Sequence, residues 1–284
     1  MWGTLVVLAV ALGFWLLYQM RLVAFSLFEA IVISTAIGPA VEWLYRRKVP
    51  RAGGVILSKR RKIAMFPIGD DDTSRRTVPV VTYALIALNV LFFFVELGGG
   101  DAFIEQWAFV PRRFLSNPTG DFLTLFSSMF MHAGWVHLGG NMLYLWIFGD
   151  NIEDRFGHLQ FLIFYLLCGL AATFAQLAFS LGSNVPNLGA SGAIAGVLGS
   201  YVLMLQQQVK VLMGRSVIPV PALIVIGGWI VLQFFSGYAS IANTADTGGV
   251  AYMAHIGGFI AGFGLTFLFR GSQGPFLPGP MHTR

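Results

Sequence analysis

Apolar residues recur along this chain in runs close to the length of a bilayer crossing. Six stand out, over 78–97, 134–148, 158–181, 189–206, 217–237 and 251–269. A helix needs about 20 such residues to traverse a ~30 Å hydrocarbon layer. An earlier apolar region, 4–45, is broken only by Gln19, Arg21, Glu29 and Glu42 and has room for one or two more helices. Composition agrees: 56% of residues are hydrophobic, mean hydropathy is +0.72, and 11% are charged, against roughly 25% in soluble domains. One core could not hide that much apolar surface, so a soluble globule is excluded. The expectation is an all-α polytopic membrane protein, with a six-transmembrane-helix core and one or two N-terminal apolar helices.

The charges orient this core. Ten of the 18 basic residues fall between Arg46 and Arg76, and such clusters stay on the cytoplasmic side. The first core span then runs outward, and alternation brings Arg155, Lys210, Arg215, Arg270 and Arg284 inside as well. Only Arg112 and Arg113 fall outside, with Arg21 undecided. Both ends of the core are therefore expected in the cytoplasm, in a plasma or inner membrane. The net charge of +5 serves this orientation rather than nucleic acid, because the basic residues sit beside apolar spans. Cys168 is the single cysteine, which excludes an internal disulfide. The outer loop over 98–121 mixes aromatic with charged residues, as a segment at the membrane interface would, and equally as a plain outer loop with a few stray aromatics would.

Polar groups inside spans cost free energy unless paired or used, so each is a functional candidate. The candidates are His132, His137, Asn141, Ser191 and His255. Ser191 lies 15 residues before Gln206, and His255 lies 15 before Arg270. That puts both about 22 Å from the cytoplasmic end of spans running in the same direction. His137 and Asn141, at i and i+4, share a face of another inward-running span. A hydroxyl, imidazoles and a carboxamide in one outer layer suit acyl transfer. A neutral imidazole activates a serine, while a helix start and side-chain donors stabilise an oxyanion. Asp246, the carboxylate nearest His255 in sequence, sits in a Gly/Thr loop, so a Ser191/His255 dyad is expected. Each feature also has a plainer reading. Gly192 with Gly196, and Gly258 with Gly262, have the GxxxG spacing of helix packing faces, and a lone intramembrane histidine often only bridges helices. No HExxH zinc motif occurs, and His132 and His137 are spaced poorly for a metal pair, so neither a metal nor a cofactor is expected.

These residues resemble the rhomboid family of intramembrane serine proteases. Gly189-Ala190-Ser191-Gly192 is similar to its GxSG nucleophile motif, and His137-Leu138-Gly139-Gly140-Asn141 to its HxxxN motif. Ala254-His255-Ile256-Gly257-Gly258, with Gly262, is similar to its AHxxG-xxx-G span, and Glu153-Asp154-Arg155 to its ExR turn. The resemblance implies that Ser191 attacks a scissile carbonyl and His255 acts as base and then acid. The Ser191 amide with His137 and Asn141 would form the oxyanion hole. His132 would be a supporting histidine, with Gly189 and Gly258 as motif glycines. Substrates would be single-span membrane proteins taken from the lipid bilayer, with no nucleic acid involved.

The sequence also departs from the family pattern. Ala195 stands where some members carry a tyrosine against the catalytic histidine, and Leu123-Thr124 where others have a Trp-Arg pair. The catalytic core is expected over 65–270, followed by a short disordered cytoplasmic tail over 271–284. Residues 1–64 form an apolar and basic extension, with Met65 an alternative start because family members often begin with a stretch like Met65-Phe66-Pro67-Ile68-Gly69-Asp70-Asp71. Two other readings compete. A catalytically silent rhomboid-like scaffold would be expected to lack Ser191 or His255. A transporter would be expected to carry carboxylates inside the spans, and Glu96, at an outer end, is the only one in the core runs.

Overall fold

The computed structural model describes residues 65–70, 75–204, 207–213, 216–242 and 251–270. The chain divides into two compact units, Met1–Phe66 and Pro67–Arg284; of the first, Met65 and Phe66 alone are described. The N-terminal helices expected over 4–45, Asp246, and the tail expected over 271–284 all lie outside the described residues.

Among the described residues there are eight α-helices, α1 (Val80–Trp107, kinked at a non-helical Gly100), α2 (Pro111–Ser116), α3 (Thr124–Ser127), α4 (Trp135–Phe156), α5 (His158–Phe179), α6 (Ser191–Met204), α7 (Ala222–Ala242) and α8 (Tyr252–Phe269), and one short 3-10 helix, Ser128–Phe130. Each of the six apolar runs carries one long helix. By length and composition, α1, α5 and α8 suffice to cross a membrane, while α6 and the Ala222–Tyr238 part of α7 are apolar but shorter. Their outer faces carry exposed Leu91, Phe94, Phe174, Phe235, Ile260 and Leu268. A surface so apolar drives association in water and matches lipid, so this is an integral membrane protein. Inside, Phe148 of α4 meets Tyr201 of α6 edge-on at 4.9 Å, within a core that includes Leu145, Phe161, Phe164, Ile194 and Leu198.

One element departs from the all-α expectation. Strands β1 (Met65–Gly69), β2 (Gln208–Met213) and β3 (Ser216–Pro221) form a sheet in the order β1-β2-β3. β2 and β3 pair antiparallel, with Gln208 opposite Pro221 and Met213 opposite Ser216. The expected fifth span began at 217, but Pro219 and Pro221 cannot sit inside a helix, and α7 starts only at Ala222. Val209 and Val211 are buried while Lys210 between them is exposed, which is the period-2 alternation of a strand.

The acidic end of α4 ties down the start of α1. Pro79, the residue before α1, provides no side-chain cap, and Glu153 takes over that role. Its fully buried carboxylate accepts the Val81 amide at 2.8 Å, and the Thr82 amide and hydroxyl at 2.7 Å each. A carboxylate there also meets the positive end of the α1 dipole. Asp154 accepts the amides of Arg76 and Thr77, Asp150 pairs with Arg75 at 2.6 Å, and Asn151 and Tyr201 both donate to Asp70. Gly157, at φ 82°, turns the chain from α4 into α5 with no intervening loop.

Helices α6 and α8 touch backbone to backbone. A β-carbon on Gly258 would collide with the Gly192 carbonyl, one on Gly262 with the Gly196 carbonyl, and one on Gly199 with the Phe259 carbonyl. On another side of α6, β-carbons on Gly192 and Gly196 would stand 2.5 Å from side-chain atoms of Ala172 and Cys168 on α5. These glycines do pack helices, as their GxxxG spacing suggests. Overpacking a contact of this kind costs about 1–3 kcal/mol. Gly262→Ala is therefore expected to lower the Tm of the detergent-solubilised protein. Gly264→Ala, on the same helix with nothing within 4 Å of its β-carbon, should leave Tm unchanged.

Candidate active site

Ser191 is the first residue of α6, and the loop before it is held from two sides. Asn187 and Phe109 exchange backbone hydrogen bonds of 2.7 and 3.3 Å, and the Gly189 amide donates to the Ser128 carbonyl at 2.8 Å. Phe109 lies in the short connection between α1 and α2, within the span 98–121 that is expected to be a loop but is largely helical, and this connection is clipped by Arg113. That guanidinium donates to the Asp121 carboxylate and the Ala108 carbonyl at 2.6 Å each, and to the Glu105 carbonyl. Sequence reading treated Arg113 only as a basic residue on the outer side. In the structure it folds the segment that braces the nucleophile loop.

The Ser191 Oγ lies 2.8 Å from His255 Nε2, although the two are 64 positions apart in the chain. His255 is in the first turn of α8 and is buried. The start of that helix is anchored by the Ala254 amide, which donates to the Gln176 side chain of α5 at 3.2 Å. The imidazole is braced from α7 by two residues one turn apart. Trp229 lies against it with ring centroids 5.6 Å apart, and Gln233 Oε1 is 2.7 Å from Nδ1. At the tyrosine position noted above, Ala195 is fully buried, so the brace on His255 comes from a different helix.

His137 and Asn141 lie on α4. The Ala133 amide donates to His137 Nδ1 at 3.3 Å, so in the neutral ring the proton resides on Nε2. A β-carbon on Gly189 would stand 3.0 Å from that Nε2 and 3.5 Å from Ser191 Oγ. Gly189, at φ 131°, thus keeps open a space flanked by both groups. Asn141 Nδ2 is buried and has no acceptor among the described residues; an orphaned donor costs about 1–3 kcal/mol. His132 is fully buried, its ring edge-on to His137 at 5.1 Å, and its backbone amide donates to the Glu96 carboxylate at 2.9 Å. Gly258 sits one turn below His255, on the crossing with Gly192. Among the described residues, no group of three or more His, Cys, Asp or Glu is placed to hold a metal.

The structure thus gathers a serine at a helix start, an imidazole on its oxygen and His137 Nε2 beside the same space, with the unpaired Asn141 Nδ2 one turn along α4 from His137. Such a set performs nucleophilic acyl transfer. Sequence reasoning missed Gln233, Trp229 and Gln176. The two glutamines carried the same signal as the residues it found, an uncharged polar side chain inside an apolar run.

A family model for the Rhomboid domain matches residues 119–272. Among curated proteins, the chain is similar to rhomboid protease GluP of Bacillus subtilis (strain 168), at 32% identity over 190 residues. That match covers 65% of this chain and 34% of the relative. It is also similar to the mitochondrial Rhomboid protein 1 of Saccharomyces cerevisiae, at 28% identity, covering 64% of this chain and 51% of the relative. The putative rhomboid protease YdcA of Bacillus subtilis is 29% identical, with 68% of this chain and 89% of the relative covered. The chain therefore spans about a third of the length of the first of these and about half of the second.

Gly189→Ala would push a methyl group to 2.8 Å from the His137 ring. The rate at which a fluorophosphonate labels Ser191 in the purified variant is expected to fall roughly ten-fold or more, the scale of a disturbed oxyanion site.

Proposed function

The chain belongs to the rhomboid family, and from that premise we propose that it is an intramembrane serine endopeptidase that cuts transmembrane helices near the outer leaflet. The observation that carries this reading is the 2.8 Å contact between Ser191 Oγ and His255 Nε2. His255 takes the serine proton as Oγ attacks the scissile carbonyl, then returns it to the leaving amine. The oxyanion accepts hydrogen bonds from the Ser191 amide at the start of α6, from His137 Nε2 and from Asn141 Nδ2. Water then releases the acyl group by the same route, with His255 again as base. His132 keeps His137 in place.

The proposed substrates are single-span membrane proteins that enter from the bilayer. A protease needs an extended strand, so a helix whose outer end unwinds easily at Gly, Ala, Ser or Pro is favoured. A small depression beside Ser191, walled by Gly169, Ala172, Thr173, Gly192 and Ala254, suits a small side chain next to the cut. The six long helices are read as six crossings, and the distribution of basic residues supports a core with both ends in the cytoplasm, in a plasma or inner membrane. The silent-scaffold reading has no observation in its favour, because Ser191 and His255 are both present and hydrogen-bonded.

Ser191→Ala and His255→Ala are each expected to abolish cleavage of a single-span reporter in vesicles while leaving the protein folded. Retained cleavage in either variant overturns the dyad. Asn141→Ala should slow turnover roughly 100-fold, the worth of one oxyanion donor, without abolishing it.

A further inference from the structure

A histidine serves as general base only in the correct tautomer. For Nε2 to accept the Ser191 proton, the single proton of the neutral ring must reside on Nδ1. In the opposite tautomer the ring would donate to Ser191 and could take nothing from it. His255 is buried, so the choice falls to whatever protein group faces Nδ1. That group is the Gln233 side chain, 2.7 Å away on α7, and no carboxylate is bonded to the ring among the described residues. His137 is the other titratable group that His255 feels.

We infer that Gln233 is the positioning residue of this site, its amide oxygen holding His255 Nδ1–H and so keeping Nε2 open toward Ser191. The inference rests on the serine-protease reading above and adds a third member to its dyad. Three details make the contact more than incidental. Gln233 and Trp229 lie one turn apart on the same face of α7, so one fixes the ring's hydrogen bond while the other fixes its plane. One turn beyond Gln233, a β-carbon on Gly237 would stand 2.6 Å from the end of the Met253 side chain. That close approach of α7 to α8 is what lets a side chain of glutamine length reach Nδ1. The choice of an amide also follows from the surroundings. An isolated carboxylate is costly to bury at membrane depth, whereas a carboxamide accepts the same hydrogen bond without a charge. Its weakness is ambiguity, because a flipped amide would present NH2 to Nδ1 and select the wrong tautomer.

The test compares the full chain in lipid vesicles with Gln233→Glu and Gln233→Met. Ionised beside the imidazole, glutamate accepts a hydrogen bond and cannot donate one, and methionine fills similar space but accepts poorly. If Gln233 acts through its oxygen, Gln233→Met lowers kcat for a single-span reporter roughly 10- to 100-fold, the scale of a hydrogen bond to a group that becomes charged. KM changes little, fluorophosphonate labelling of Ser191 slows in step, and Gln233→Glu recovers most of the activity. A packing role predicts the reverse order, with methionine better tolerated than glutamate, and that order overturns the proposal. Solid-state 15N spectra of histidine-labelled protein give a readout independent of turnover, with the His255 signal assigned from His255→Gln. The wild type should show the Nδ1–H tautomer, and Gln233→Met should show a mixture. An unchanged tautomer in Gln233→Met overturns the role of Gln233 while leaving the protease reading intact. A wild type that shows the Nδ1–H tautomer but neither cleaves nor labels would instead overturn the protease reading.

Discussion

The site depends on the backbone contact between α6 and α8. Gly192 faces Gly258 and Gly196 faces Gly262, so the two helices meet along a ladder whose rungs are four residues apart on each. Lipid offers no hydrophobic drive to press helices together, and close van der Waals approach takes its place. The ladder leaves almost no freedom in spacing or register. Ser191 and His255 sit at its N-terminal end, one position before the first rung on α6 and three before it on α8. Their 2.8 Å separation is therefore a consequence of glycines that never touch the chemistry. A dyad between two helices is only as well placed as the surface on which those helices rest, and here that surface is bare backbone.

The polar residues divide by position along the bundle. At one end, the carboxylates of Asp150, Glu153 and Asp154 are spent on backbone amides and Arg75 around the start of α1. They are satisfied, and they hold the first helix to the fourth. Immediately around Ser191 and His255 the side chains are uncharged, and another donor, Asn141 Nδ2 on α4, is buried without an acceptor among the described residues. A structural network satisfies its members, whereas a site for a developing negative charge keeps donors in reserve. Charge serves the site from outside it, since Arg113 orders the segment whose Phe109 pairs with Asn187 beside the nucleophile loop.

Much of this was legible in the chain. The six apolar runs each hold a helix, because membrane-length hydrophobicity is a strong one-dimensional signal. Ser191, His137, Asn141 and His255 stood out as uncharged polar groups in apolar runs, and equal residue counts to the cytoplasmic ends put Ser191 and His255 at one depth. The β2-β3 hairpin was misread because hydropathy alone does not separate a valine-rich strand from the start of a span. The prolines at 219 and 221, with alternate burial about Lys210, carry the information that hydropathy lacks. Gln233 was overlooked although it bore the same polar-in-apolar mark as the others.

What the sequence by itself determined is the membrane environment, the order of the helices and the chemical types available at the site, because these follow from composition and periodicity along one dimension. The tertiary structure alone decided which side chains meet. Depth counting places two residues in the same layer but says nothing of rotation about a helix axis or of which helices are neighbours. That Gln233 of α7 faces His255, and that Arg113 braces the loop before Ser191, depends on packing across the bundle. Packing is set by the shapes of contacting surfaces, above all the glycine faces of α6 and α8, and those surfaces exist only once the helices are formed.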